Sequence, residues 1–223
     1  MDILLDDFQD YSLWLVSKDH LAEVSRFILR VNHQVHLNSN IINYSDLIKT
    51  RKLDLDSFSS SYFYAIKNKK HEIVGTIKAQ KWDGSCKLPI EEDFDIKVDD
   101  IVSELSYKPH EVWHIGRFAI DQQKIKDDPL LKKNRIVILK MLMANALQHI
   151  YADRTNILIA ECDRKLFEKL QLMEIYSSQI GNSKSYLGSE TVPMFNTAIG
   201  VKKFVEQNIS LCYSYMKQDL YSA

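Results

Sequence analysis

The alternation of hydrophobic and polar positions predicts seven β-strands, because successive side chains of a strand point to opposite faces of a sheet. The strands are expected at Tyr11–Val16, Tyr62–Lys67, Ile73–Lys81, Val112–Asp121, Asn156–Ala160, Ile175–Ile180 and Val192–Ile199. The fourth of these is apolar on both faces. It is therefore expected at the centre of the sheet, covered on both sides.

Apolar residues three or four positions apart predict helices between the strands. The longest runs from Leu130 to about Tyr151 and has Asp128 as its cap and Pro129 in its first turn. Other helices are expected at Leu21–Val35, at Asp163–Leu172 and within the C-terminal segment 201–223. The polar connection 38–61 predicts a short helix with a mobile loop, and 122–128 predicts a loop. This order predicts an α+β fold of mixed α/β character: a twisted mixed sheet of about seven strands flanked by helices, in a single domain spanning 1–223.

The composition narrows the classes of function. Of the 223 residues, 45% are hydrophobic and 26% are charged, as in an ordinary soluble globular protein, and the net charge of −1 argues against nucleic acid as a partner. The three cysteines are widely spaced and predict neither a disulfide framework nor a metal site. An acidic N-terminus and the absence of a long apolar run argue against a signal peptide or a transmembrane segment, so we expect a cytoplasmic location.

Three residues of the central strand do not suit a buried strand. His114 and Arg117 cost free energy when buried unless they are paired, and Gly116 weakens a strand interior unless a bulge or a close approach is needed there. Such exceptions are expected where function overrides the rules of folding. This strand is therefore the first candidate for a functional site.

Three cations lie in the first turns of the long helix: Lys132, Lys133 and Arg135. Positive charges at a helix N-terminus oppose the helix dipole, at a cost of roughly 0.3–1 kcal/mol each. Two explanations stay open. The side chains face solvent and the cost is accepted, or an anion binds there and offsets it.

Six stretches of the chain, between about Leu29 and Ala198, occur in an order that is typical of one superfamily. They are Leu29-Arg30-Val31, Asp56 with Ser59 and Tyr62, Ile73-Val74-Gly75-Thr76-Ile77-Lys78, Leu88-Pro89-Ile90-Glu91, His114-Ile115-Gly116-Arg117-Phe118-Ala119-Ile120, and Ile180-Gly181 through Tyr186-Leu187-Gly188 to Val192-Pro193. Together they resemble the GNAT superfamily of N-acyltransferases, within it the branch that holds acyl-homoserine-lactone synthases and N-acyl amino acid synthases.

The resemblance implies an acyl donor at Gly116, Phe118, Ala119 and Ile120, and an amine or acyl pocket shaped by Arg30, Asp56 and Lys78. The chain departs from the branch in carrying His114 in place of a glutamate, Gly116 in place of a serine and Lys78 in place of an arginine. The tyrosine acid of the wider superfamily is replaced by Phe167, and its glycine-rich pyrophosphate loop by the glycine-free 122–128. These departures favour a donor carried on an acyl-carrier protein, whose acidic surface suits Lys132, Lys133 and Arg135, over one carried on coenzyme A.

Acyl transfer needs a base that removes a proton from the amine near neutral pH, and an ordinary histidine titrates in that range. His114 is the candidate, with a core histidine bonded to a neighbour as the alternative. A bulge at Gly116 would free the amides of Phe118 or Ala119 for the thioester oxygen. Arg117 would bind a substrate carboxylate or hold the loop through Asp56, or else form a structural ion pair with an acid such as Asp56 or Glu161.

The sequence therefore predicts an enzyme, an N-acyltransferase that moves a medium or long acyl chain from an acyl-carrier-protein or coenzyme A thioester to an amino acid or similar small amine. No metal is expected to take part. Two alternatives stay open: an acetyl-coenzyme A-dependent N-acetyltransferase, and an inactive domain of the same fold that binds acyl groups or a partner.

Overall fold

A computed structural model describes residues 1–36, 42–186 and 188–213. These residues contain nine strands of one sheet: β1 (Ile3–Asp7), β2 (Tyr11–Leu15), β3 (Ser61–Asn68), β4 (Ile73–Trp82), β5 (Val112–Ile120), β6 (Ile157–Asp163), β7 (Ser178–Gln179), β8 (Lys184–Tyr186) and β9 (Ser189–Thr197). Their order is β1-β2-β3-β4-β5-β6-β9-β7, with β8 paired to β9. Because β5 and β6 are parallel and their other neighbours are antiparallel, the predicted mixed sheet is confirmed.

Eight α-helices connect the strands: α1 (Leu21–His36), α2 (Tyr44–Asp56), α3 (Pro89–Phe94), α4 (Val98–Glu104), α5 (Gln122–Asp127), α6 (Pro129–Tyr151), α7 (Arg164–Leu172) and α8 (Ala198–Gln207). α6 begins as the sequence predicts, because the Asp128 carboxylate accepts the amides of Leu130 and Leu131 and Pro129 needs no partner. No helix in the described part of the chain is long and apolar enough to cross a membrane.

The central strand β5 is covered on both sides, as its apolar faces predict. Trp113 and Ile115 pack into the main core with Met141 and Leu142 of α6, on the face called here the α6 face. The opposite face, called here the α1 face, is covered by α1 over β3 to β5 and by α3 and α4 over β5 and β6. Because β5 is covered on both faces, its polar residues lie away from bulk water, and the candidate site described below is built around them.

One segment expected to be a loop and one for which the sequence predicts no definite structure contain helices. The predicted loop 122–128 contains α5 (Gln122–Asp127), which is stabilised because the Asp121 carboxylate accepts the amide of Lys124 at 2.9 Å. The acidic connection between β4 and β5 holds α3 and α4. Their short length and weak periodicity left no pattern from which they could be predicted.

The ends of the chain also differ from the prediction. β1 and β8 were not expected, while the strand expected at Ile175–Ile180 is reduced to β7. α8 begins at Ala198 and ends at Gln207, because the Asn208 amide bonds the carbonyl of Phe204 at 2.7 Å and satisfies the helix end. The part of the predicted C-terminal helix in 214–223 lies outside the described residues.

Candidate active site

The two central parallel strands separate partway along their length. β5 and β6 pair from Val112 and Ile157 to Ile115 and Ala160, and their pairing ends there. Beyond this point β5 stays paired to β4, while β6 stays paired to β9 as far as Asp163. The strands therefore open into a wedge in the middle of the sheet.

A bulge in β5 lies next to this wedge, one residue later than the sequence predicts. Thr76 faces Ala119 and Lys78 faces Gly116, so that Arg117 and Phe118 together stand opposite the single residue Ile77. Arg117 has a φ of 55°, in the left-handed region that costs a side chain of this size about 1–3 kcal/mol. The positive φ falls on Arg117 and not on Gly116. We attribute this to the anchoring of the Arg117 side chain by a buried carboxylate described below.

A cavity of about 170 Å³ fills the wedge and passes between the two faces of the sheet. On the α1 face it is bordered by Ile28, Asn32, Pro89, Gly116, Arg117 and Glu161, and on the α6 face mainly by Met143, Leu166, Leu170 and Met194. The first end combines the polar and charged side chains of Asn32, Arg117 and Glu161 with apolar neighbours, and the second end is mainly apolar. The cavity can therefore hold a molecule that has a polar head and an apolar chain.

His114 and Glu161 face each other across the point where the strands separate. The Nε2 atom of His114 lies 3.1 and 3.2 Å from the two carboxylate oxygens of Glu161. His114 is only 3% exposed, and its Nδ1 atom has no hydrogen-bond partner among the described residues. An unpaired buried nitrogen lowers the stability of the fold by about 1–3 kcal/mol, so packing alone does not explain why it is buried here.

Gly116 provides the space in which the imidazole lies. A Cβ atom on Gly116 would stand 2.9 Å from Cε1 and 3.5 Å from Nδ1 of His114, and the first of these distances is too short for a real contact. Gly116 and Glu161 border the cavity, whereas His114 does not. The imidazole thus contacts two residues of the cavity wall.

Arg117 is held by Asp54 of α2, not by Asp56. The Nε atom of Arg117 donates to Oδ1 of Asp54 at 2.9 Å, and Asp54 is fully buried while Asp56 is exposed. Among the described residues the two Nη groups of Arg117 have no hydrogen-bond partner. The predicted structural ion pair therefore exists with a different acid, and it leaves part of the guanidinium able to bind a ligand.

Lys78 completes a buried group of charges with Asp54, Arg117, His114 and Glu161, called here the charged cluster. Its Nζ atom donates to the Ser57 hydroxyl at 3.1 Å and lies 3.7 Å from Asp54. Burial lowers the pKa of Lys78 to about 8, although Asp54 opposes the change. Lys78 does not border the cavity, so it contributes to the site through the charges around it.

Arg30 lies outside the cavity. It donates to Asp121 at 2.8 Å, and Asp121, which is 2% exposed, also caps α5. This ion pair joins α1 to the end of β5 and gives Arg30 a structural role. Of the residues predicted to shape the amine or acyl pocket, Arg30, Asp56 and Lys78, none borders the cavity.

The residues predicted to hold the acyl donor are divided between the cavity and the core. Gly116 and Phe118 border the cavity, whereas Ala119 and Ile120 are buried and paired with β4. Lys132, Lys133 and Arg135 are exposed at the start of α6, beside the exposed apolar residues Leu130 and Ile136. These cations form a surface patch outside the wedge.

The helix ends after β5 do not offer a free anion site. One first-turn amide of α5, that of Lys124, donates to Asp121, and two of α6, those of Leu130 and Leu131, donate to Asp128. A pyrophosphate would have to displace these caps and would meet their negative charge. The absence of glycine from 122–128 and the capped helix ends therefore both argue against a pyrophosphate site in this segment.

Two other kinds of chemistry find little support at the cavity. The thiol of Cys162 borders it, but burial raises the pKa of this thiol to about 12, so it is not a nucleophile near neutral pH. No group of three or more metal-binding side chains occurs among the described residues.

Sequence reasoning missed Asp54, and it named Glu161 only as a possible partner of Arg117 and not of His114, although a signal existed for each. Ile157, Ile159 and Glu161 alternate along β6, but the predicted strand ended at Ala160 and so excluded the carboxylate. On α2, residues four apart share a face, and Thr50 and Asp54 are both buried. Asp56, two positions from Asp54, has to face away from it.

No protein-family model matches this chain, and neither does any curated protein sequence. Among solved structures, it is similar to FeeM, an N-acyl amino acid synthase from uncultured soil microbes, with a TM-score of 0.56, 16% identity, and coverage of 85% of this chain and 90% of that one. It is also similar to TofI, solved in a ternary complex with an inhibitor and MTA, with a TM-score of 0.57, 14% identity, and coverage of 88% and 95%. A third similar structure is BjaI, a CoA-dependent acyl-homoserine lactone synthase bound to SAM and isopentyl-CoA, with a TM-score of 0.54, 11% identity, and coverage of 86% of both chains. At these identities the likeness concerns the fold, which is the GNAT fold that the resemblance predicted.

Proposed function

We propose that this protein is an N-acyltransferase that moves a medium or long acyl chain from a thioester to the amine of an amino acid or similar small molecule. The observation that carries the proposal is the wedge between β5 and β6. It joins an apolar cavity end to a polar end, where a bulge and a buried histidine meet. The fold shared with FeeM and BjaI supports the same class of reaction.

The apolar end of the cavity suits the acyl chain. Met143, Leu166, Leu170 and Met194 surround it, and contact with an apolar chain in such a site is favourable because water is excluded from both surfaces. The thioester would then lie at the wedge beside the bulge, where residues 116–118 have left their pairing with β6. Main-chain amides released in this way can stabilise the charge that develops on the thioester oxygen.

The polar end suits the amine and its charged groups. His114 is the proton acceptor in this proposal, and its contact with Glu161 stabilises the imidazolium that forms. The free Nη groups of Arg117 would bind the carboxylate of an amino acid acceptor in a bidentate manner. Because Cys162 is protonated near neutral pH, transfer would be direct and would not pass through an acyl-cysteine.

For the donor we propose an acyl-carrier protein. The helix ends that follow β5 are capped by aspartates, and the exposed patch of Lys132, Lys133 and Arg135 suits an acidic protein surface. Changing these three residues together to glutamate is expected to raise KM for acyl-carrier protein at least tenfold, because attraction becomes repulsion, and to leave KM for acyl-coenzyme A within twofold. Equal effects on both donors would refute the carrier-protein surface.

The test of the activity is release of free thiol from acyl-carrier proteins and coenzyme A thioesters of increasing chain length, with amino acids and other small amines as acceptors. Mass spectrometry of the amide product, in the reaction and in lipid extracts of cells that overproduce the protein, identifies both substrates. Preference for long acyl donors is expected. Activity confined to acetyl-coenzyme A would favour the acetyltransferase alternative.

A domain that binds without turnover is the remaining alternative. It would raise its melting temperature with an acyl donor, as any ligand of the folded state does, and yet release no thiol with any amine. That pair of results would overturn the proposed function.

A further inference from the structure

The Nδ1 atom of His114 is the unexplained polar atom of this site. The residue is 3% exposed, and Nδ1 has no hydrogen-bond partner among the described residues. Buried polar atoms nearly always have a hydrogen-bond partner, so packing alone does not explain this nitrogen. A nitrogen left free in this position is available to a ligand.

The contact made by the other ring nitrogen determines which proton the ring carries. Nε2 of His114 lies 3.1 and 3.2 Å from the oxygens of Glu161, and an ionised carboxylate can only accept a hydrogen bond. Nε2 therefore donates its N–H. In the neutral ring the lone pair is then on Nδ1, the atom that has no partner.

The missing side chain of Gly116 gives the imidazole the space that it occupies. A Cβ atom on Gly116 would stand 2.9 Å from Cε1 and 3.5 Å from Nδ1, so the ring itself fills this space, and Gly116 borders the cavity. Any side chain at position 116 would collide with the ring and push Nδ1 out of its present position.

We infer that Glu161 is a positioning residue that holds His114 in its Nε2–H form, and that Gly116 leaves room for the ring in the position from which Nδ1 takes the proton of the attacking amine. This inference rests on the proposed function and adds to it the atom that accepts the proton. A bond forms between the amine nitrogen and the acyl carbon, and the carbon–sulfur bond breaks. The amine proton moves to Nδ1 and then to the departing thiolate, which yields an amide and a free thiol.

The other charged and titratable groups near the ring do not replace this pair. Lys78 of β4 faces Asp54 of α2, and Arg117 of β5 is bound to the same carboxylate. Gln80, which pairs with His114 in the β4–β5 register, lies 3.9 Å from the thiol of Cys86. Glu161 of β6 is the residue that bonds the imidazole.

The first experiment needs no substrate. The full-length protein, labelled with ¹⁵N in its histidines, is studied by NMR, and the His114 signals are assigned by their loss in His114→Gln. The neutral ring is expected to carry its proton on Nε2. A proton on Nδ1 would overturn the inference.

The second experiment is a double-mutant cycle of His114→Gln and Glu161→Gln, measured as kcat and KM. His114→Gln should lower kcat at least 100-fold. Glu161→Gln should lower it strongly as well, because the amide can donate to Nε2 and move the ring proton to Nδ1. The double variant should be no slower than His114→Gln, since Glu161 acts only through His114. Multiplied losses, or a much larger loss in Glu161→Gln than in His114→Gln, would make Glu161 the base.

Gly116→Ala tests whether the ring needs this space, because the added Cβ would displace it, and Gly75→Ala is its matched control. A Cβ on Gly75 would also stand 2.9 Å from a neighbour, but that neighbour is Cδ1 of Leu142 in the core. Gly116→Ala should lower kcat at least tenfold with little change in KM for the donor, whereas Gly75→Ala should lower stability and leave kcat unchanged. An unchanged kcat in folded Gly116→Ala would show that transfer does not depend on the position of the ring beside Gly116.

These outcomes separate the inference from the proposed function. A wild-type protein that releases no thiol would refute the function, and the NMR result would still determine the ring proton. A wild-type protein that is active and a Glu161→Gln variant that is equally active would refute the inference and retain the function.

Discussion

Two groups of polar side chains are buried on opposite faces of the sheet, and they are satisfied in different ways. On the α6 face, His149 stacks with Tyr62 and with Trp113, at centroid distances of 4.3 and 4.8 Å, and these two rings also lie near each other, at 6.2 Å. The Nε2 atom of His149 lies 2.9 Å from the Tyr64 hydroxyl. We call this group the aromatic stack. On the α1 face the charged cluster holds cations and carboxylates, together with a histidine nitrogen that has no partner among the described residues.

The comparison shows what distinguishes a structural histidine from a functional one. Burial lowers the pKa of His149 to about 4, so this ring is neutral at physiological pH and packs as an aromatic side chain with one hydrogen bond. His114 has a carboxylate as its partner and contacts two residues of the wedge cavity, whereas His149 itself borders a second cavity, of about 560 Å³, and bonds a hydroxyl. Stability alone does not explain why the charges of the cluster are buried, because a protein in which hydrophobic residues replace such charges is often equally stable. Their retention therefore points to binding or catalysis.

The largest effect is expected from removing the carboxylate on which the charged cluster depends. Asp54→Asn leaves Lys78 and Arg117 without their shared anion, and breaking a buried ion pair costs about 3–5 kcal/mol. Urea unfolding at neutral pH measures this loss. It should become smaller above about pH 8, where Lys78 can lose its proton. Asp56→Asn, an exposed change two residues away, is the control and should have no effect.

The next largest effect distinguishes the two histidines by activity. His114→Ala should fold and lose acyl transfer by 100-fold or more, which corresponds to about 2.7 kcal/mol, because the proton acceptor is gone. His149→Ala should lower stability and leave kcat within a factor of about two, because its ring does not border the wedge. Thiol release and thermal unfolding of both variants give the comparison. Equal rates in the two variants would show that the charged cluster is not the active site.

The same comparison shows which features of the fold and of the site could be predicted from the sequence. Trp113 and His114 are adjacent, and strand alternation places them on opposite faces, which predicts that they belong to different environments. The sequence could also predict the position of α6, because Asp128 and Pro129 specify its start locally. Such features depend on residues that are close in the chain.

The partners of the buried charges could not be predicted, because they come from distant segments. The acid that binds Arg117 is 63 residues away, and the one that binds His114 is 47 residues away. The bulge at Arg117 was expected at Gly116, because glycine is the residue that ordinarily adopts a positive φ. The anchoring of Arg117 by Asp54 overrides that preference, and only the packing of α2 against the sheet reveals it.

The smallest effect concerns the stability of the aromatic stack as a function of pH. The pKa of His149 is lowered from 6.5 to about 4 on folding, so below pH 6.5 the unfolded chain binds a proton that the folded chain does not. Stability is therefore complete above pH 6.5 and decreases as the pH falls towards 4. The contribution amounts to about 2 kcal/mol between pH 7 and pH 5. Urea unfolding of the wild type and of His149→Leu at both pH values measures it, and the variant should lose about 2 kcal/mol less than the wild type over this interval. The same loss of stability in both proteins would show that His149 can be protonated in the folded state. The contrast between a neutral aromatic stack and a charged cluster would then be wrong.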